Sequence, residues 1–302
     1  MNAFLCNQMK KIEINDRQEL KGYLSESNYS SCEYSLANLI IWADVFNTCC
    51  FIFNRHVYIY FSLVDELLFP FGKGEITPEE LHEVSQIFVS NGCAGRFAHV
   101  PPAWKEKYAS YCAPFQLIEM DESSSEYVYR TECLAELKGS KLSKKRNLIS
   151  QFERNHEFYT VDRIKTAEDF RKILSLSEHW RQDHLCDQGV ENERRAIATA
   201  LEHFEELQLE GLMLTAENDL KAYAVFSPVN QNSYTIHFEK ALHDCKGASQ
   251  LITNRTAKEL LGKCEYINRE QDLGIPGLRQ AKQSYIPDHM ISDWYLIPPK
   301  QK

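Results

Sequence analysis

The feature that most constrains the fold of this chain is an order of elements that occurs twice. Residues 17–47 read as helical, with Leu36, Leu39, Ile40 and Ala43 repeating on one face. Cys50–Phe53 and His56–Phe61 then read as a hairpin across Asn54-Arg55, followed by a strand at Glu66–Gly72. Thr77-Pro78-Glu79-Glu80 is a helix start, with a capping hydroxyl, proline in the first turn and acids near the positive end. A strand at Gly95–Val100, a helix from Pro101 to about Cys112 and strands at Phe115–Met120 and Tyr127–Thr131 complete the first half.

The second half runs in the same order. Phe158–Ile164 reads as a strand, and helices follow at Thr166–His184 and Glu191–Leu207. A hairpin turns across Asn218-Asp219, and Tyr234–Lys240 is a third strand. A helix at Gly247–Leu261, a strand at Glu265–Asn268, a helix at Ile275–Tyr285 and a last strand at Trp294–Ile297 end the chain. The pattern predicts an α/β (α+β, mixed-sheet) fold built from a duplicated unit; a single larger α/β domain is the alternative.

Composition excludes several classes. The chain has 302 residues, room for two domains, and a net charge of −9, which argues against a general nucleic-acid coat. Its ten cysteines are scattered without a CxxC pair, so they read as free thiols in a reducing compartment, and no metal site is expected. The longest apolar run, Leu36–Phe53, is broken by Asn38, Asp44 and Asn47 and cannot serve as a membrane span. The start is too short for a signal peptide, and a cytoplasmic location is expected. No GxSxG elbow, Walker loop or HExxH occurs, so serine nucleophiles, nucleotide hydrolysis and zinc proteolysis find no support.

Two stretches stand out chemically. Tyr266–Tyr285 places Arg269, Glu270 and Asp272 at the end of an apolar strand, where ligands bind in open α/β sheets. Between the halves, Lys138, Lys141, Lys144, Lys145, Arg146 and Arg154 face one acid, Glu153. This basic helix, 138–154, suits phosphate and possible tRNA as a partner, with a solvated linker as the alternative.

The segment 234–297 resembles the core of the GNAT acyltransferase fold. Asn268–Tyr285 is similar to the signature of an uncharacterised bacterial family grouped with the C-terminal catalytic domain of phosphatidylglycerol lysyltransferase. Tyr34–Trp42, Leu67–Gly72, Leu137–Gly139 with Lys144–Asn147, and His237–Ala241 resemble further blocks of that family. The resemblance implies tandem GNAT-like domains, as in the Fem-type aminoacyl-tRNA transferases: 1–136, a basic linker at 137–157, and 158–302 carrying the site. It implies an aminoacyl-tRNA donor and a lipid head-group or small-molecule acceptor, with no resident cofactor. The membrane-spanning part of the lysyltransferases has no counterpart in the sequence, so another acceptor stays open.

Acyl transfer needs a base, a donor to the carbonyl oxygen and a proton for the leaving group. Glu270 and Asp272 are candidates for base or amine recognition, Arg269 for stabilising negative charge, Tyr285 for proton donation, and Lys282 for charge on the same helical face. Glu239 ends the strand that lies beside the donor in GNAT folds, and His237 alternates with it. Each alone also reads as a packed or ion-paired residue. Lys144, Lys145, Arg146 and Lys240 would hold the phosphate-bearing donor, with Gly247 and Ala248 at a helix start. Asp244 stands where acetyl-CoA enzymes carry a basic or glutamine residue, which counts against acyl-CoA. The expected function is an acyl- or aminoacyltransferase. A CoA-dependent N-acetyltransferase and a non-catalytic RNA- or ligand-binding protein are the alternatives.

Overall fold

The computed structural model describes residues 8–182 and 188–299, which divide into two units. The strands are β1 (Lys10–Lys11), β2 (Thr48–Phe53), β3 (His56–Phe61), β4 (Glu66–Gly72), β5 (Phe97–Val100), β6 (Gln116–Glu119), β7 (Glu126–Arg130), β8 (Tyr159–Arg163), β9 (Glu210–Ala216), β10 (Asp219–Pro228), β11 (Ser233–Ala241), β12 (Tyr266–Gln271), β13 (His289–Ile291) and β14 (Trp294–Ile297).

The first unit runs to Ser125 and takes back the residues from Ile291 on. Its sheet has the order β1-β2-β3-β4-β5-β14-β6. The β2–β3 turn puts Asn54 and Arg55 at φ 47° and 68°, the left-handed pair that a two-residue hairpin of this twist demands. Thr77 caps the helix Pro78–Val89 by accepting the Glu80 amide at 3.3 Å. That helix lays Leu81, Val84 and Phe88 on the sheet against Phe51, Tyr58 and Phe97. The parallel strands β4 and β5 pair only at Leu67↔Phe97 and Leu68↔Ala98 and then part. The Tyr34 hydroxyl sits in that opening, 3.1 Å from the Phe69 carbonyl and 3.0 Å from that of His99.

The second unit covers Glu126–Met290, and its sheet has the order β13-β7-β12-β11-β10-β9-β8. From β8 inward the pairings are antiparallel through β11, parallel between β11 and β12, and antiparallel between β12 and β7. The first sheet shows the same sequence of pairings from β1 inward. The helix Ala248–Leu260 buries Leu251, Ile252, Ala257 and Leu260 on one face of the second sheet, with Phe152 of the helix Ser143–Asn155 beside it. Phe226, Ile236 and Ile267 supply the sheet side of that core.

The expected boundaries shift in three places. The strand at Tyr127–Thr131 was expected to close the first half, but the observed β7, Glu126–Arg130, pairs with β12 in the second sheet, and the division falls after Ser125 rather than Glu136. The last strand was expected in the C-terminal half, but β14 lies between β5 and β6 in the first sheet. The basic linker, expected as a separate segment at 137–157, is part of the second unit, and its helix starts at Ser143. The helix Thr131–Glu136 and the strand β13 were not anticipated. The end of the helix expected at Thr166–His184, residues 183 and 184, lies outside the described residues.

Candidate active site

The site is built around an opening in the second sheet. Strands β11 and β12 pair at Ser233↔Tyr266, Tyr234↔Ile267 and Thr235↔Asn268, and no further. β11 instead stays on β10 out to Ala241↔Ala222, with a bulge that leaves His237 between the pairs Ile236↔Phe226 and Phe238↔Val225. β12 skips its own register with β7 between Asn268 and Gln271. Glu270 takes φ +56° there, a left-handed conformation that any residue with a Cβ adopts at some cost. Backbone bonding therefore lapses where Arg269 and Glu270 project, to opposite faces of the strand.

On one face Arg269 Nη2 donates to Glu239 Oε1 at 2.8 Å across the opening. Thr253, from the helix Ala248–Leu260, donates to the same oxygen at 2.8 Å. The guanidinium lies 5.0 Å from the centroid of the Tyr285 ring and 5.8 Å from that of Tyr129. Lys145 brings its Nζ to 4.1 Å from the Tyr285 centroid. Two buried polar atoms here make no hydrogen bond of ordinary geometry, Arg269 Nη1 and the Tyr285 hydroxyl, although Thr253 lies near enough to the phenol to favour its ionisation slightly. An orphaned buried donor costs about 1–3 kcal/mol, so two on one face of the sheet, on residues whose guanidinium and ring lie 5.0 Å apart, mark a place that suits an acceptor.

The electrostatics agree. Burial opposes the charge of Arg269, but Glu239, together with the Tyr129 and Tyr285 phenols, more than offsets it, and its pKa ends above the ordinary value. Burial, with Arg269 nearby as a second cause, lowers Lys145 to about 8. Burial raises the Tyr285 phenol to about 12, against the pull of Arg269, so it stays protonated at neutral pH. The face thus holds a fixed cation, a lysine near its titration point and a protonated phenol, with one carboxylate bonded to the cation.

The other face holds a cluster that sequence reasoning missed. Ser227 Oγ and His237 Nε2 are 2.8 Å apart, His237 Nδ1 lies 3.6 Å from Glu270 Oε1, and Thr235 donates to that oxygen at 3.3 Å. His237 was expected to share a face with Glu239 by strand alternation. The bulge breaks that alternation and turns it to Glu270 instead. Ser227, placed by a neighbouring strand, had no local signal.

Other expected residues have structural partners. Asp272 is fully buried and accepts from Arg279 Nε at 2.7 Å, the Tyr127 hydroxyl at 2.7 Å and the Gly274 amide at 2.8 Å. The Arg279 bond, helped by the others, lowers its pKa to about 2, which suits an anchor and not a base. Lys282 is buried and donates to the carbonyls of Arg269, at 2.6 Å, and Gln271, holding the free end of β12. Lys240 pairs with Glu193 at 2.8 Å, away from Glu239. Arg146 caps the carbonyls of Leu137 and Gly139, while Lys144 is exposed. Gly247, at φ +93°, packs its α-carbon on the Leu148 carbonyl, and a Cβ there would meet that oxygen at 2.2 Å. The Ala248 amide donates to the Cys245 carbonyl at 3.2 Å. The glycine therefore serves helix packing, and the helix start is covered by the basic helix.

The sequence profile of the family described as phosphatidylglycerol lysyltransferase, C-terminal, matches residues 25–297. The chain belongs to this family. A Bacteroides thetaiotaomicron protein of unknown function is 29% identical, with a TM-score of 0.88 over 96% of this chain and 99% of that one. The C-terminal domain of an Agrobacterium fabrum protein described as a lysylphosphatidylglycerol synthetase superposes with a TM-score of 0.68 at 12% identity, over 95% of this chain and 92% of that one. The structure of L-PGS from Bacillus licheniformis superposes with 0.64 at 14% identity, over 94% and 92%. No curated protein matches the sequence. Among the described residues of this lysyltransferase-family chain, no helix is long and apolar enough to cross a membrane.

Proposed function

We propose that the Arg269 face is an acyl-transfer site, which moves an aminoacyl group from a phosphate-bearing donor, aminoacyl-tRNA, to a hydroxyl of a lipid head group. The observation that carries this reading is the pair of buried donors without an ordinary hydrogen bond, Arg269 Nη1 and the Tyr285 hydroxyl. Ester transfer builds negative charge on the carbonyl oxygen, and two donors already desolvated on one face of the sheet are suited to stabilise it. Lys145, lowered to about 8, takes the proton of the acceptor hydroxyl as that oxygen bonds to the carbonyl carbon. The ester C–O bond then breaks, and the proton passes from Lys145 to the leaving oxygen. Glu239 holds Arg269 in place through the 2.8 Å bond and keeps it charged.

The donor reading rests on the closed start of the helix Ala248–Leu260. A CoA pyrophosphate would need free amides there. Gly247 is instead covered by the Leu148 carbonyl, and Asp244 precedes it. The acceptor reading rests on the family, whose name specifies phosphatidylglycerol and lysine. We read the two sheets, with their matching order of pairings, as tandem copies of one GNAT-like unit, of which the first has its opening filled by Tyr34.

The test is to incubate the purified protein with phosphatidylglycerol vesicles and radiolabelled lysyl-tRNA or acetyl-CoA. The expected result is label in the lipid extract from the tRNA alone. Label carried only from acetyl-CoA would overturn the donor, and label from neither would overturn the acyl-transfer reading for these substrates.

A further inference from the structure

We infer that the turn and helix beside the site form a docking surface for an anionic lipid bilayer. Leu273 is 71% exposed, Ile275 52% and Ile286 45%. They flank the eight-residue helix Pro276–Gln283, so about 12 Å of helix separates them. Their exposure is enforced. Asp272 accepts the Gly274 amide at 2.8 Å through its side chain and the Ile275 amide at 2.9 Å through its carbonyl, and Arg279 clamps it from the helix. At the other end Ile286 takes φ +60° after its amide bonds the Gln283 carbonyl at 3.0 Å. A loose loop could fold such side chains inward; a braced turn holds them in water, which disfavours the free state by their unburied apolar area.

Charge names the partner. Residues 273–287 contain no acid, and neither do residues 137–152, in a chain whose net charge is −9. The contact of Lys145 with Tyr285 brings these two acid-free segments together. They contribute exposed Lys141 and Lys144, with Arg279 partly exposed. Exposed cations on one segment and protruding aliphatic side chains on the other, joined through the Lys145–Tyr285 contact, match an interface with anionic head groups outside and acyl chains within. RNA would use the cations but offers nothing to the aliphatic groups. The surface would bring the Arg269 site to the bilayer, which deepens the lipid-acceptor reading but does not need the transfer reaction to hold.

Vesicle co-sedimentation without any donor tests this. The wild-type protein should pellet with phosphatidylglycerol-containing vesicles, less with phosphatidylcholine vesicles, and less as salt rises. Leu273→Asp with Ile275→Asp, and separately Ile286→Asp, should weaken binding about tenfold or more with unchanged melting curves. Lys141→Glu with Lys144→Glu should remove the preference for anionic lipid. Equal recovery with both lipids, variants that bind as the wild type does, or a protein that holds tRNA and leaves the vesicles in the supernatant would each overturn the proposal. Failure of transfer with binding intact would count against the reaction alone, since no step of it enters the measurement.

Discussion

At the scale of single residues, the sequence shows which side chains carry charge but not what they meet. Arg269 was legible because a cation at the end of an apolar strand needs a reason. Asp272 and Lys282 were equally visible, yet one anchors a turn and the other holds strand carbonyls. Lys145 was one cation in a basic run until the fold turned it onto Tyr285. Its lowered pKa makes a prediction. If its neutral form accepts the hydroxyl proton, transfer rises with pH along a limb centred near 8, and Lys145→Arg, which stays charged, loses that limb and most of the rate. A pH–rate profile of both proteins checks it. Asp272 gives a second. Its folded pKa, about 2, lies below the ordinary value for an aspartate, so its contribution is complete above about pH 4 and is lost as pH falls through the folded value. Asp272→Asn should cost about 2 kcal/mol or more near neutral pH, and urea titrations should show that gap narrowing towards pH 2.

At the scale of elements, periodicity located nearly every strand and helix around the site, but not the lapse in pairing between β11 and β12. That lapse depends on a bulge at His237 and a left-handed Glu270, neither of which alters the hydrophobic pattern. The same limit applies to Gly247. A glycine at a helix start reads as a phosphate cradle, and only the crossing of the helix Ser143–Asn155 shows that its missing Cβ makes room for the Leu148 carbonyl. Gly247→Ala should therefore destabilise the second unit by about 2 kcal/mol or more, from the overlap and the φ of +93° together. Chemical denaturation measures this directly; an unchanged midpoint would contradict the packing role.

At the scale of the whole molecule, the doubled order of elements was readable, and both sheets follow it. The exchange of strands was not, because alternation says that a segment is a strand and never names its partner. Glu126–Arg130 and Trp294–Ile297 each look like the natural end of their own half, and each joins the other sheet. This has a consequence for truncation. β14 pairs on both sides, with β5 and β6, and Leu296 is fully buried in the first core. A chain ending at Met290 should lose protection from hydrogen exchange in β5 and β6, although every residue removed is more than 170 positions away in sequence. The central claim rests on Tyr285 and Arg269, whose buried donors are read as suited to a carbonyl oxygen. The most direct measurement is single-turnover transfer of lysine from lysyl-tRNA to phosphatidylglycerol by Tyr285→Phe, alongside its melting temperature. The account predicts a rate about a hundredfold lower with stability little changed, since the lost hydroxyl makes no hydrogen bond of ordinary geometry in the free protein. A Phe variant that transfers lysine as fast as the wild type would contradict it.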